Sequence, residues 1–204
     1  MDLEFSYMLY FKREHLWHAL QAVMDMTAPH QPPTQILSPD HELFVPLDAQ
    51  SVQSGAINFN DPILYLTTSL YFPEDAAIQA YLGEQKEAVF RSPPDQAGIR
   101  RVSIGIIYLQ IYTRLPWWIS VDKNEDLVLF DFATPGTSLS LLFQESPSIR
   151  KVFVELLEKV SGVCGVFNQE DNGLLFWFNG QGYADLEVED PNTPPDEIET
   201  LLGI

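Results

Sequence analysis

His15 and His18 stand three residues apart in Glu14-His15-Leu16-Trp17-His18, and the other two histidines, His30 and His41, complete a set confined to the first 41 residues. Imidazoles at i and i+3 of a helix share one face. There they could hold a metal ion or, with Glu14 beside them, move a proton. Zinc needs three or four ligands, so His30 or the run Asp40-His41-Glu42 would have to fold back onto the pair. The metalloprotease pattern has its histidines four apart and its glutamate after the first; here the spacing is three and the glutamate comes before. On a helical wheel Leu16, Leu20 and Val23 mark a buried stripe. Glu14, His18, Gln21 and Asp25 lie opposite it, and His15 sits at the boundary. A solvated helix face accounts for this pattern better than a metal site. The reading therefore assigns no metal and no cofactor, and names His15, His18 and His41 as the residues that would carry a metal if one bound.

Three other residue sets invite chemistry. Asp122-Lys123-Asn124-Glu125-Asp126 alternates oxygen ligands as a calcium loop does, but Leu127 stands where that loop needs glycine and Ala133 where it needs glutamate. A polar turn between strands is the better reading. Cys164, the single cysteine, lies in the apolar run VCGVF with no histidine near it, which fits a small core residue rather than a nucleophile. Asp131 is the one acid inside LVLFDF. It is either a buried acid-base group or the point where the strand ends and reaches water, and the second reading is preferred. Trp117 and Trp118 are adjacent, so a strand would send one to each face. They are ordinary core residues first, and the interaction candidates second. No dinucleotide loop, phosphate-binding P-loop, GxSxG elbow or CxxC pair occurs, since Gly180-Gln181-Gly182 lacks the third glycine.

The charge narrows the partners. Twenty-nine acids against eleven Lys and Arg leave a net charge of −18. Such a chain repels nucleic acid and anionic membrane surfaces and favours a basic protein partner, or simply solubility. No apolar run approaches the ~18 residues a spanning helix needs, and the N-terminus lacks the order of a signal peptide. With one cysteine no internal disulfide can form, so the expected location is cytoplasmic.

These groups need elements to position them. Ile149, Val152, Phe153, Leu156, Leu157 and Val160 follow helical spacing, with Ser146 to cap, Pro147 for the first turn and Gly162 to stop. Helices are expected near 12–27, 73–83 and 148–161. EFSYMLYF, TQILS, LFVPL, TSLYF, VSIGIIYLQIYT, WWISV, LVLFDF, SLSLLF, VCGVF and LLFWF read as strands, with hairpin turns at PDHE, DKNED and NQEDNG. Gly105 marks a bend or bulge in the longest of them. The fold class is α+β: a mainly antiparallel sheet with about three packed helices. Strand-helix-strand-strand units recur, and Leu9-Tyr10-Phe11 echoes Leu70-Tyr71-Phe72 while SLYF echoes SLLF, which suggests internal repeats with boundaries near 50–62 and 92–99. Residues 1–184 form one compact domain. The acidic segment 185–204 is expected to fray, apart from one short helix in PPDEIETLL, and its removal beyond residue 190 to cost little stability. The functional expectation is a non-catalytic protein-interaction module (an adaptor, inhibitor or chaperone-like protein) with a protein partner or a second copy of itself. The alternative is a small-molecule binder or enzyme with a site near the N-terminal histidines.

Overall fold

β1 (Ser6–Lys12) is buried at every position as far as Phe11, so the sheet around it needs cover on both faces. The computed structural model describes residues 3–27, 34–37, 42–45, 48–49, 56–58, 60–84, 91–116, 118–119 and 126–203. After β1 a 3-10 turn at Arg13–His15 leads into α1 (Leu16–Met24). Four short strands follow: β2 (Thr34–Leu37), β3 (Glu42–Val45), β4 (Asp48–Ala49) and β5 (Ala56–Asn58). Then come β6 (Ile63–Pro73), α2 (Ala76–Glu84), β7 (Arg101–Tyr112) and β8 (Leu127–Ala133). The chain closes with α3 (Thr137–Glu145), α4 (Pro147–Val160), β9 (Cys164–Asn168), β10 (Gly173–Phe178), β11 (Gln181–Val188) and α5 (Pro195–Leu202).

Eight strands form one sheet in the order β11-β10-β9-β1-β8-β7-β6-β4, antiparallel at every pairing. A small sheet pairs β2 antiparallel with β3 and parallel with β5. The α+β reading and the antiparallel sheet hold, and α1, α2 and α4 occupy the three expected helical segments. No helix among the described residues is long and apolar enough to cross a membrane.

Strand alternation divides the core in two. Tyr7, Leu9, Phe11, Phe130, Phe132 and Leu109 point to one face, where α1, α3 and α4 cover them. Rings dominate there: Tyr7 stacks on Phe153 at 4.4 Å between centroids, and Phe132 meets Phe153 at 5.0 Å. Met8, Tyr10, Leu129, Cys164, Val166 and Leu175 point to the other face and pack with Ile119 and Ile198. Gly105 is the expected bulge. The register of β6 against β7 shifts between Thr68 and Leu70, Gly105 takes φ +42°, and the Ser69 hydroxyl donates to its carbonyl at 2.7 Å. The bulge holds Val102 and Ile104 on the same face as Ile107 and Leu109 despite the odd step between them.

One carboxylate ties two helices together. Asp75 caps α2 by accepting from the Ile78 amide at 2.8 Å, and its other oxygen accepts from the Ser146 hydroxyl at 2.6 Å and the Ser148 amide at 3.0 Å at the start of α4. Burial works against the charge, but the bonds from Ile78, Ser146 and Ser148 outweigh it and hold the carboxyl below its ordinary value of 3.8. Asp75→Ala is expected to cost about 1–3 kcal/mol, because it removes a cap and orphans groups at two helix starts. The depressed folded-state value fixes the sign of the pH effect. The contribution is in place above the ordinary value and is lost as pH falls through the folded one. Urea titration at pH 7 and at pH 3 checks both: the wild-type advantage should be present at pH 7 and shrink in acid.

Several segments differ from the sequence reading. SLSLLF is helix α3, not a strand. Leu139, Leu142 and Phe143 are buried at helical spacing while Leu141 is 40% exposed. The alternating serines imitate a strand, but Ser140 is buried because its hydroxyl accepts from the Phe5 amide and donates to the Leu3 carbonyl. The SLYF–SLLF echo therefore joins a strand to a helix. Trp118 and Ile119 lie in a turn closed by the Ile119 amide on the Pro116 carbonyl at 2.9 Å, rather than in a strand. The segment expected to fray supplies the end of β11 and all of α5, and it is seated by Val188 and Ile198, 2% and 0% exposed. Removing α5 would uncover that part of the core, which argues against a low cost of truncation. The stop of α4 falls one residue early: Ser161 takes the left-handed conformation at φ 55°, and the Gly162 amide bonds the Leu157 carbonyl at 2.7 Å. The turns expected at PDHE and DKNED lie largely outside the described residues.

Candidate functional site

Of the four histidines the structure describes His15 and His18. His18 is exposed, and His15 Nε2 lies 3.8 Å from Glu14 Oε1 at the edge of α1. His30 and His41 lie outside the described residues, as does Trp117. Among the described residues no group of three or more His, Cys, Asp or Glu side chains is placed to hold a metal ion. Trp118 is half exposed, at 50%. Cys164 is wholly buried, and burial pushes its thiol well above the ordinary range, which leaves it unreactive.

The chemistry gathers instead on the second face of the sheet, around Asp131. The strand does not end there. β8 continues to Ala133 with β1 on one side and β7 on the other, and Asp131 stands opposite both Met8 and Gln110. The residue keeps some exposure, but its Oδ1 is out of solvent and has no hydrogen-bond partner among the described residues. Burial raises the carboxyl from 3.8 to about 6, with a hydrogen bond from Ser6 pulling the other way. The strand end preferred in the sequence reading does not occur, and Asp131 is partly buried with one carboxylate oxygen out of solvent.

Tyr10 lies diagonally from Asp131, since it stands opposite Leu129, the residue two before Asp131. It is fully buried, and its hydroxyl also lacks a hydrogen-bond partner among the described residues. Burial raises its pKa well above 10, and the neighbouring Cys164, Asp131, Asp190 and Tyr112 add to the effect. Tyr112, on β7, is pushed up to about 12 by burial and then by Asp131 and Tyr65. Its hydroxyl donates to Gln110 Oε1 at 2.8 Å. Asp131, Tyr10, Gln110, Tyr112 and Tyr65 thus form one cluster across β1, β8, β7 and β6, with both phenols neutral at ordinary pH.

The outer part of this face is open. β6 alternates buried and partly exposed residues, so Ile63, Tyr65, Thr67, Ser69 and Tyr71 line it. Across the strand pair stand Tyr112, Gln110, Tyr108 and Ser103, with Ile106 beside the bulge. Tyr65 is 44% exposed and Ile106 54%. Asp131 is the sole acid within β6, β7 and β8. Sequence reading marks VSIGIIYLQIYT, now β7, as carrying more apolar surface than one sheet face needs, but does not single out its tyrosines or those of β6. The available signal was the placement of tyrosines at 65, 71, 108 and 112 on two strands that contain no acid.

A separate cleft of about 880 Å³ opens where β1 turns into α1, lined by Lys12, Arg13, Glu14, Asp126, Asp196 and Glu199 among others. It adjoins a second hollow of about 470 Å³ that shares Lys12, Val163 and Asn179. Arg13 there is engaged in fold bonds, its amide to the Asp126 carbonyl at 2.6 Å and its Nη1 to the Thr113 carbonyl at 2.6 Å. Comparison with protein-family models, curated proteins and solved structures finds no match to this chain.

Proposed function

We propose that this protein acts by binding a basic protein partner, and that the open half of the second sheet face is its docking surface. One observation carries the reading: a chain of net charge −18 has a tyrosine-lined surface on β6 and β7 whose strands contain no acid. Protein interfaces favour tyrosine and exclude carboxylates from their centre, so such a patch on an otherwise acidic molecule fits a docking site better than a solvated face. The surrounding negative field favours encounter with a basic surface. No nucleophile with a base beside it occurs among the described residues, which favours binding over turnover.

A second reading rests on the cleft at Lys12, Arg13 and Glu14, which has the volume of a small-molecule site and lies next to the N-terminal helix. It would make the protein a ligand binder, with the histidines beside the site rather than in it.

Capture from the host lysate separates the two readings. The expected result is a stoichiometric basic partner that is retained at low salt and weakened at high salt. Capture should fall about tenfold or more in the Tyr65→Ala/Tyr108→Ala variant and stay unchanged in His15→Ala/His18→Ala. A partner held equally by the tyrosine variant contradicts the surface. A monomer with no partner at either salt, but with a retained metabolite, favours the cleft.

A further inference from the structure

Three side chains with acceptor oxygens, Asp131, Tyr10 and Gln110, stand at opposite and diagonal positions on adjacent strands of the second sheet face. Asp131 Oδ1 and the Tyr10 hydroxyl are out of solvent and have no hydrogen-bond partner among the described residues; Tyr10 is wholly buried, while the rest of Asp131 keeps some exposure. Gln110 stands directly opposite Asp131, and its Oε1 takes one bond, from the Tyr112 hydroxyl, which leaves an amide oxygen with a second lone pair. Orphaned buried polar atoms are costly and rare, and two on neighbouring strands of one face mark a place that a ligand completes.

We propose that Asp131, Tyr10 and Gln110 form a binding site for a primary ammonium group, and that its ligand is the side chain of a lysine on the partner protein; the second half of this inference rests on the docking surface above. An ammonium carries three donors and needs acceptors on one side. Asp131 Oδ1, the Tyr10 oxygen and Gln110 Oε1 supply three, from β8, β1 and β7. Opposite and diagonal positions on adjacent strands keep such groups within reach of one small cation. The single open carboxylate oxygen selects a point charge. Ser6 already bonds the carboxylate, so the two-pronged contact a guanidinium prefers is not available. No basic side chain among the described residues pairs with Asp131; the ion pairs of the fold lie at Glu14, Glu74, Asp185, Glu155 and Asp25. Tyr10 and Tyr112 stand diagonally from Asp131 on the flanking strands, and the half-exposed Tyr65 stands opposite Gln110; aromatic faces favour a cation on a flexible alkyl stem. A lysine fits that geometry: its methylenes lie along the tyrosines while its head reaches the carboxylate.

The test uses the full chain, labelled with nitrogen-15, titrated with n-butylammonium at neutral pH and, in parallel, with n-butanol and n-butylguanidinium. The expected result is saturable shifts centred on the amides of Tyr10, Gln110 and Asp131 with butylammonium, and about tenfold weaker binding of the other two probes. Asp131→Asn should weaken butylammonium about tenfold or more, and Tyr10→Phe about threefold, each with the wild-type melting profile recorded beside it. Equal binding of butanol, or binding unaffected by Asp131→Asn, overturns the site. So does the absence of saturable shifts at about 100 mM, well above the millimolar range expected of one ion pair with two hydrogen bonds. Butylammonium binding that depends on Asp131, together with partner capture that ignores Asp131→Asn, would leave the ammonium site standing and remove its lysine. Capture that needs Tyr65 and Tyr108, without butylammonium binding, would do the reverse.

Discussion

Arg150→Ala is expected to destabilise the protein by about 2–4 kcal/mol, a fall in melting temperature of roughly 6–12 °C for a chain of this size. The guanidinium sits on the helix-covered face of the sheet inside a box of rings, 5.6 Å from the centroids of Tyr7 and Phe167 and 5.0 Å from that of Phe176. Cation–π contacts of this kind strengthen as water is excluded. Its Nε donates to the Tyr7 hydroxyl at 3.1 Å and its Nη1 pairs with Asp185. Asp185 belongs to β11, an edge strand, and holds a left-handed backbone at φ 50°. Arg150 therefore fastens α4 to β11 across the aromatic core. Tyr7 keeps its own donor bond to the Phe143 carbonyl at 3.0 Å, so it is not orphaned by the change. Burial raises Tyr7 to about 12 against the pull of Arg150, so the phenol stays neutral with or without its neighbour. Arg150→Met, which keeps an apolar stem among the rings, should recover part of the loss. Urea unfolding of the two variants reads the result. A loss under about 1 kcal/mol for the alanine variant would mean that the pair is an ordinary surface contact.

Asp131→Asn is expected to act in the opposite direction. The folded carboxyl titrates near 6, against an ordinary value of 3.8. Between those values the folded state holds more protons than the unfolded one, so stability falls as pH rises through the window. The penalty is complete above about pH 6. The gap, at about 1.4 kcal/mol per pH unit, amounts to about 3 kcal/mol. The asparagine variant removes the charge but brings an amide that needs partners of its own, so a net gain of about 2 kcal/mol at pH 8 is expected, with no gain at pH 4. Chemical denaturation of both proteins from pH 4 to pH 8 tests this. Parallel pH profiles would show that the carboxyl is solvated. The stability forgone at pH 8 is the energetic signature of a binding residue: a buried charge without a cation is a cost that a cationic ligand removes.

What the sequence made legible follows from locality. α4 was plain because Ile149, Val152, Phe153, Leu156 and Leu157 repeat at helical spacing next to a Ser-Pro start. β1, β6 and β7 were plain because β-branched, aliphatic and aromatic residues run between polar turns. α3 was misread because two serines interrupt its leucines at alternate positions. The reason Ser140 is buried, its bonds to Leu3 and Phe5, lies more than 130 residues away along the chain. The site was hidden for the same reason. Tyr10, Gln110 and Asp131 come together only because β8 lies between β1 and β7, and no local pattern announces that pairing. One inference was nonetheless within reach. LVLFDF is apolar on both faces, as is YMLYF, and strands of that kind occupy the middle of a covered sheet. An acid halfway along such a strand is at least partly buried. Preferring a strand end at Asp131 gave the cost of desolvation more weight than the continuity of the apolar run. The histidines drew attention because their types are reactive, whereas the tyrosines carry no spacing motif that singles them out.

The most direct measurement is the titration of the Asp131 carboxyl carbon by carbon-13 NMR in the full chain. This carboxyl is partly buried, has no partner on Oδ1 among the described residues and lies beside the neutral phenols of Tyr10 and Tyr112. Its midpoint is expected near 6, falling by about one pH unit or more when saturating butylammonium is present, because a cation beside the carboxylate favours its charged form. A midpoint near the ordinary 3.8, unmoved by the amine, would contradict the account.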